Sequence, residues 1–177
     1  MLDQVNMEKL DTLEGELDHF ADLLVAVVDA GASIGFLPPL GREEARAYWQ
    51  SVNSPEVILR AARSGERIAG TVQVHLCTKP NGSHRAEIAK LMVHPDYRRH
   101  GIARQLMLEA EHEARLANRS LLVLDTRDGD PSNLLYQSLG YIQGGQIPFF
   151  ARSETGSLDA TNLYYKLLDE GLSGRQL

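Results

Sequence analysis

The sequence predicts an α/β (α+β) fold with a mixed, mostly antiparallel central sheet flanked by helices. Three patterns predict it. Two stretches with helical spacing come first, three strand-like stretches joined by turns follow, and a further helix then connects a strand to a short apolar strand. Strands joined by turns pair antiparallel, whereas a helix between two strands makes a right-handed parallel crossover. For 177 residues we expect one domain over 1–177.

Two helices are predicted in the N-terminal part. The first carries apolar residues at helical spacing, with Gly31 as its stop: Leu13, Leu17, Phe20, Leu24 and Val27. The second covers 41–52 and ends before Pro55. Between them, residues 31–40 are apolar but broken by glycine and by Pro38-Pro39, which predicts a hydrophobic loop.

Strand periodicity begins at Val57. A hairpin is predicted over 57–63 and 67–78, and a third strand covers 85–93 after the turn Lys79-Pro80-Asn81-Gly82. A helix then begins at Gly101, and the apolar run 121–124 is typical of a strand buried on both faces.

The C-terminal part is predicted as one short helix and two closing strands. The helix starts near Ser132 and stops at Gly140, and the strands cover 141–150 and 162–168. The tail, 171–177, is expected to fray.

Charge and cysteine content exclude several classes of protein. Eighteen Lys+Arg against 24 Asp+Glu give a net charge of −6, which argues against coating nucleic acid or an anionic membrane. The single cysteine, Cys77, favours a reducing compartment. The N-terminus lacks a signal-peptide pattern, and no apolar run approaches the roughly 20 residues of a membrane span. We therefore expect a cytoplasmic protein with neither nucleic acid nor membrane as its partner.

A basic segment follows the predicted strand 85–93. Gly101 lets the backbone approach a ligand at a helix N-terminus, and Arg98, Arg99 and Arg104 add positive charge. This combination predicts a phosphate cradle. The spacing matches neither a P-loop nor a Rossmann turn, and a helix start that is merely basic stays an alternative.

The motif Arg98-x-x-Gly101-x-Ala103 resembles the acyl-CoA pyrophosphate motif of the GNAT superfamily of N-acetyltransferases. The order of elements is similar over nearly all of the chain. Within the superfamily the sequence looks most like the tabtoxin-resistance acetyltransferases, through 79–82, 90–93 (Lys-Leu-Met-Val) and 124–126 (Leu-Asp-Thr).

The resemblance implies acetyl-CoA as co-substrate, with no metal. It would lie in a splay between strands 85–93 and 121–125, the family's fourth and fifth, with its pantetheine arm paired to backbone groups of Met92 and Val93. The implied pyrophosphate contacts are the loop and helix start: Arg98, Arg99, His100, Gly101, Ile102, Ala103 and Arg104. Gly129 stands where the family often has an asparagine, so Asn133 is the candidate for a further pantetheine contact.

Acetyl transfer to an amine needs a base, because an alkylammonium has a pKa of roughly 10. Glu87 is the first candidate: without a bulge, period-2 alternation places it on the face of Leu91 and Val93. Asp125, at the end of a buried strand, is the second, as base or as ligand of the substrate ammonium. An edge glutamate in solvent and an aspartate that caps a turn remain open alternatives.

Tyr136 matches the family tyrosine near the acyl sulfur, which implies that its hydroxyl is the proton donor to the departing thiolate. A tyrosine that only packs in the core is the alternative.

The six histidines show no paired ligand spacing, so no metal site is expected. No covalent nucleophile is evident, which favours direct transfer in a ternary complex.

The acceptor is expected to contact the loop 31–40, where Ser33 and Phe36 are the candidate substrate-binding residues. An apolar lid favours a small compact amine over an extended peptide. The resemblance to the tabtoxin-resistance acetyltransferases implies an amino-acid-like or dipeptide-like acceptor such as an antimetabolite, and a role in antibiotic resistance. The alternatives are acetylation of a protein N-terminus or lysine, and a non-catalytic acyl-CoA-binding module. A homodimer through the edge of the closing strands is a further expectation.

Overall fold

The computed structural model describes residues 4–168, and a single seven-stranded sheet runs through them. Its strands are β1 (Val5–Leu10), β2 (Val57–Ser64), β3 (Arg67–Leu76), β4 (Arg85–Val93), β5 (Leu121–Arg127), β6 (Ile142–Arg152) and β7 (Leu158–Leu167). The helices are α1 (Leu17–Asp29), α2 (Arg42–Val52), α3 (Ile102–Leu116) and α4 (Ser132–Ser138). The strand order is β1-β2-β3-β4-β5-β7-β6, and only β4 and β5 are parallel neighbours. This confirms the predicted mixed, mostly antiparallel sheet.

Strand β1 is the element that periodicity did not predict. It pairs antiparallel with β2 at one edge of the sheet, from Val5 opposite Ser64 to Leu10 opposite Leu59. None of its six residues is fully buried, so its hydrophobic alternation is weak. The predicted frayed tail, 171–177, lies outside the described residues.

Hydrophobic cores form on both faces of the sheet. On one face α1 and α2 pack together, with the rings of Phe20 and Trp49 in edge contact at 4.9 Å. On the other face α3 packs through Leu106 and Met107 against the central strands, joined by Tyr136 from α4. The two layers leave the central strands covered and hold β4 in a fixed place between them.

A β-bulge interrupts β4. Thr71 of β3 lies opposite Met92, but Gln73 lies opposite Ala89, so two residues of β4, Lys90 and Leu91, stand against one of β3. Lys90 adopts a left-handed backbone conformation, with φ of 53°.

The bulge corrects one expectation from the sequence. Met92 packs in the core of α1 and α2, whereas Leu91 and Val93 pack against the core of α3. Glu87 lies opposite His75 in the register that precedes the bulge, on the face that Met92 occupies after it. The prediction that Glu87 shares a face with Leu91 and Val93 is therefore wrong, because one extra residue reverses the alternation.

Strands β4 and β5 pair over three residues only, from Arg85 opposite Leu121 to Glu87 opposite Val123. Both strands continue beyond that point without pairing to each other. A wedge-shaped gap therefore opens between the central strands, as expected for the splay.

Gly70 lies where β3 meets the bulge, and a Cβ there would stand 2.7 Å from the backbone oxygen of Met92. We expect Gly70→Ala to lower the free energy of unfolding by about 2 kcal/mol and Tm by about 4 to 8 °C, because backbone must shift. Thermal unfolding checks this, with Gly145→Ala as control, since a Cβ at Gly145 has no neighbour within 4 Å. Equal melting temperatures for the two variants would contradict tight packing at the bulge.

Candidate active site

Two carboxylates predicted from separate strands line one cleft. Glu87 of β4 and Asp125 of β5 are both exposed to it, together with Val123, Leu163 and Tyr165. The cleft has a volume of about 340 Å³. It begins where β4 and β5 stop pairing, because the register puts Glu87 opposite Val123 and Asp125 two residues further on the same face.

Asp125 is held from the neighbouring strand. The hydroxyl of Thr161, on β7, donates a hydrogen bond to its Oδ2 over 2.8 Å, and Thr161 is 3% exposed. Thr126, which would cap the following turn together with Asp125 in the alternative interpretation, pairs its hydroxyl with that of Ser132 at 2.7 Å. Sequence reasoning missed Thr161, which falls one residue before the predicted strand 162–168.

A polar chain lies on the same face beside Glu87. His75, opposite Glu87, hydrogen-bonds the side-chain oxygen of Gln73 through Nε2 at 2.8 Å, and Gln73 donates through Nε2 to the hydroxyl of Tyr48 at 2.9 Å. Burial lowers the pKa of His75 below its ordinary value, so its ring is neutral at pH 7. Buried Gln73 thus links the cleft to α2.

Tyr136 is buried and packs against Tyr141 and Tyr164, with both ring centroids 5.9 Å away. Burial raises the pKa of Tyr136, and the carboxylates of Asp130 and Asp125 raise it further. The phenol therefore stays protonated at neutral pH and can donate a hydrogen bond, although burial makes it a weak acid.

The basic segment forms an exposed loop that ends at the N-terminus of α3. Arg99 and Gly101 both have positive φ, 69° and 77°, and these left-handed residues turn the chain into the helix. Arg98 donates through Nε to the carbonyl of Val93 at 3.4 Å, and His100 contacts the carbonyl of Arg98 through Nδ1 at 2.7 Å.

The first turn of α3 presents backbone N–H groups that have no acceptor within the helix. These belong to Ile102, Ala103 and Arg104. The side chain of Ile102 is buried, so only its N–H is available to a ligand. Arg104 donates through Nη2 to the hydroxyl of Ser138 at 2.6 Å and so connects α3 to the end of α4.

Asn133 is engaged within the protein. Its amide nitrogen donates to the carbonyls of Arg127 and Asp130 at 2.9 and 2.8 Å. Its side-chain oxygen accepts from Asn162 and Tyr164, both at 2.9 Å. All the hydrogen-bonding capacity of this side chain is used, which points to a structural role; the pantetheine contact stays a prediction.

The loop 31–40 lies against the cleft face. The ring of Phe36 packs edge-on to that of Tyr48 at 5.2 Å, while Ser33 is exposed. The ammonium of Lys90 donates to the carbonyl of Ile34 and fastens this loop to β4. Lys90 was not among the predicted site residues; the sequence indicated it only as part of the stretch 90–93 that carries the resemblance.

The model of the acetyltransferase (GNAT) family matches residues 28–141. The chain belongs to the GNAT acetyltransferase family. A relative from Azospirillum brasilense, an uncharacterized N-acetyltransferase in the hisH-hisA intergenic region, is 36% identical over 128 residues, which cover 70% of this chain and 76% of the relative.

Solved structures of acetyltransferases share the fold. An N-acetyltransferase from Staphylococcus aureus has a TM-score of 0.78 at 14% identity, covering 93% of this chain and 99% of its own. The protein yncA from Salmonella typhimurium, solved with its cofactor acetyl-CoA, has a TM-score of 0.75 at 16% identity, covering 93% of this chain and 95% of its own.

Membership of the GNAT family makes this chain an acetyl-CoA-dependent N-acetyltransferase. The fold offers acetyl-CoA a fitting place: a gap between the central strands and a basic helix N-terminus beyond it.

Within residues 4–168 no helix is long and apolar enough to cross a membrane. The same residues hold no cluster of three metal-ligating His, Cys, Asp or Glu side chains.

The double variant Arg98→Ala/Arg104→Ala is expected to weaken acetyl-CoA binding at least about tenfold, because charge-assisted hydrogen bonds to phosphate are lost. Titration calorimetry with acetyl-CoA measures this without knowledge of the acceptor. Arg152→Ala, which removes an exposed arginine on β6, is the control with a matched change of residue type. An unchanged Kd in the double variant would refute the phosphate cradle.

Proposed function

We propose that this N-acetyltransferase acetylates a small amine of amino-acid-like or dipeptide-like structure, including antimetabolites of that chemistry, by direct transfer in a ternary complex. The observation that carries the proposal is the pair of carboxylates, Glu87 and Asp125, in one cleft of about 340 Å³. A cleft of that size suits a small ligand. The aromatic lid residue Phe36 supports a compact acceptor as well, and Ser33 is the polar candidate beside it.

The two carboxylates take different roles in this proposal. Asp125, oriented by Thr161, binds the acceptor ammonium. Glu87 accepts the proton, directly or through water, as the amine becomes a nucleophile. The neutral ring of His75 opposite Glu87 adds no competing positive charge.

Acetyl-CoA supplies an activated acyl thioester. The backbone of Met92 and Val93, at the open edge of β4, is proposed to hold its pantetheine arm, and the arginines around Gly101 its pyrophosphate. Tyr136 donates a hydrogen bond to the departing sulfur. Complete proton transfer from Tyr136 is disfavoured, because it would leave a buried phenolate near Asp125 and Asp130. As the C–S bond breaks, the acylated nitrogen gives its extra proton to solvent and the CoA thiolate takes one from solvent, so that the products are the neutral amide and the CoA thiol.

Glu87→Gln is expected to lower kcat about 10² to 10⁴-fold, as for loss of a general base. Asp125→Asn is expected to raise KM more than it lowers kcat, because it removes the partner of the ammonium. Release of CoA thiol, measured with a panel of amino acids and dipeptides, checks both. Glu154→Gln, in an exposed loop, is the control for charge.

Full turnover in both Glu87→Gln and Asp125→Asn would overturn the base chemistry. Turnover with lysine peptides or protein N-termini, but with no free amino acid or dipeptide, would assign a protein acceptor instead. Tight acetyl-CoA binding with no acceptor turned over would favour the non-catalytic module.

We also propose a reducing, cytoplasmic location, which the single cysteine, Cys77, supports.

Self-association through β6 is the last part of the proposal. Strand β6 is an edge of the sheet, and its exposed side chains include Ile147, Phe149 and Phe150. An apolar edge of this kind favours pairing with a second copy.

Phe149→Ser is expected to shift the protein from dimer to monomer, because it removes a side chain that is 75% exposed on this edge. Sedimentation velocity reads the mass against the 19.6 kDa of one chain. Leu116→Ser, at the exposed end of α3, should leave the mass unchanged. A wild-type monomer at all concentrations would contradict the dimer.

A further inference from the structure

Lys90 occupies the bulge of β4, three residues after Glu87, which lines the cleft. Two residues of β4 share one partner position on β3 here, and Lys90 carries a positive φ of 53°. A non-glycine residue in this conformation is uncommon and marks a place where the fold directs a side chain. The side chain runs from the centre of the sheet to the loop 31–40 and α2.

The Lys90 ammonium lies in a nest of electron-rich groups. It donates a hydrogen bond to the carbonyl of Ile34 and lies 5.6 Å and 5.7 Å from the ring centroids of Phe36 and Tyr48. We call these three groups the cation nest. Aromatic faces and a carbonyl oxygen attract a positive charge, and each adds affinity where water is partly excluded.

Gly35 lets the loop close over the nest. A Cβ at this position would stand 3.1 Å from Nζ of Lys90, and its φ of 93° strains any other residue. Part of the predicted hydrophobic loop, residues 34–36, is thus shaped around an ammonium group.

The charges around the nest favour a cation as well. Glu87 and Asp125 both stabilise the charged form of Lys90, although burial, the larger effect, lowers its pKa. Burial also raises the pKa of Tyr48 and lowers that of His75, so both are neutral at pH 7. These neighbours add no positive charge beside the Lys90 ammonium, which the carboxylates of Asp125 and Glu87 attract.

We propose that Lys90 is the built-in occupant of the cation nest and a specificity residue: its ammonium takes the place that the second ammonium of a diamine acceptor would need. The cleft then selects acceptors with one positive group. This inference rests on the proposed function only in that the acceptor is an amine.

The nest can be tested without acetyl-CoA or turnover. Lys90→Ala removes a group equivalent to n-propylammonium, so that cation is the probe. We expect n-propylammonium chloride at about 10 mM to raise the melting temperature of Lys90→Ala by a few degrees, since a ligand that binds only the folded state stabilises it. The wild type and Lys79→Ala, which loses an exposed lysine, should not respond.

Two comparisons make this rescue specific. Neutral 1-propanol, which has the same shape, should not rescue Lys90→Ala. In the double variant Lys90→Ala/Tyr48→Leu the response to n-propylammonium should fall about tenfold in affinity, whereas Tyr48→Phe, which keeps the ring, should retain it. Equal responses to propanol and propylammonium, or none, would overturn the nest. If Lys90→Ala does not fold, Lys90→Met, which keeps the side chain as far as its last carbon and lacks only the ammonium, is tested in its place. Ammonium chloride should raise its melting temperature more than sodium chloride at the same concentration, and equal effects of the two salts would overturn the nest.

Selectivity is tested by release of CoA thiol with 1,4-diaminobutane and n-butylamine. The ratio of their kcat/KM values should rise at least about tenfold in Lys90→Ala relative to wild type. An unchanged ratio would overturn the specificity role. If no variant acetylates any amine, the proposed function fails; the inference is then decided by whether 1,4-diaminobutane stabilises Lys90→Ala and leaves the wild type unchanged.

Discussion

One extra residue in the central strand β4 determines the geometry on which the site depends. The bulge reverses which side chains face α1 and α2. Before it, Glu87 and Ala89 lie on that face; after it, Met92 does, and it packs in the core of those helices. The bulge also turns Lys90 toward the loop 31–40. Without it, the regular alternation would place Leu91 and not Met92 beneath the helices, and the ammonium of Lys90 would lose its route to Ile34.

The pair of carboxylates follows from register, not from proximity in sequence. Three residues of parallel pairing fix Glu87 against Val123, and the twofold repeat of a strand then carries Asp125 to the same face. A buried hydroxyl on β7 keeps the second carboxylate in place. Strand β4 therefore contributes Glu87, β5 contributes Asp125 and β7 contributes Thr161, which explains why the site lies at the centre of the sheet.

Sequence periodicity predicted most of the sheet because strands that face a core alternate strongly. It missed β1, whose residues are only partly covered, and it misjudged the face of Glu87, because a bulge leaves no trace in an alternating pattern. The candidates Glu87, Asp125 and Tyr136 came from local pattern and resemblance. Thr161 and Lys90 stayed hidden because their partners lie 36 and 56 residues away, a distance that no local pattern spans.

The gap between β4 and β5 has a thermodynamic consequence. Beyond Glu87 and Val123, the facing edges of two interior strands have no strand partner, so their amides and carbonyls depend on solvent or on a bound molecule. A peptide-like pantetheine arm can serve as that partner. Folding and cofactor binding would then be linked equilibria: acetyl-CoA bound in this gap would stabilise the folded state, and protection of these amides from hydrogen exchange would report its binding.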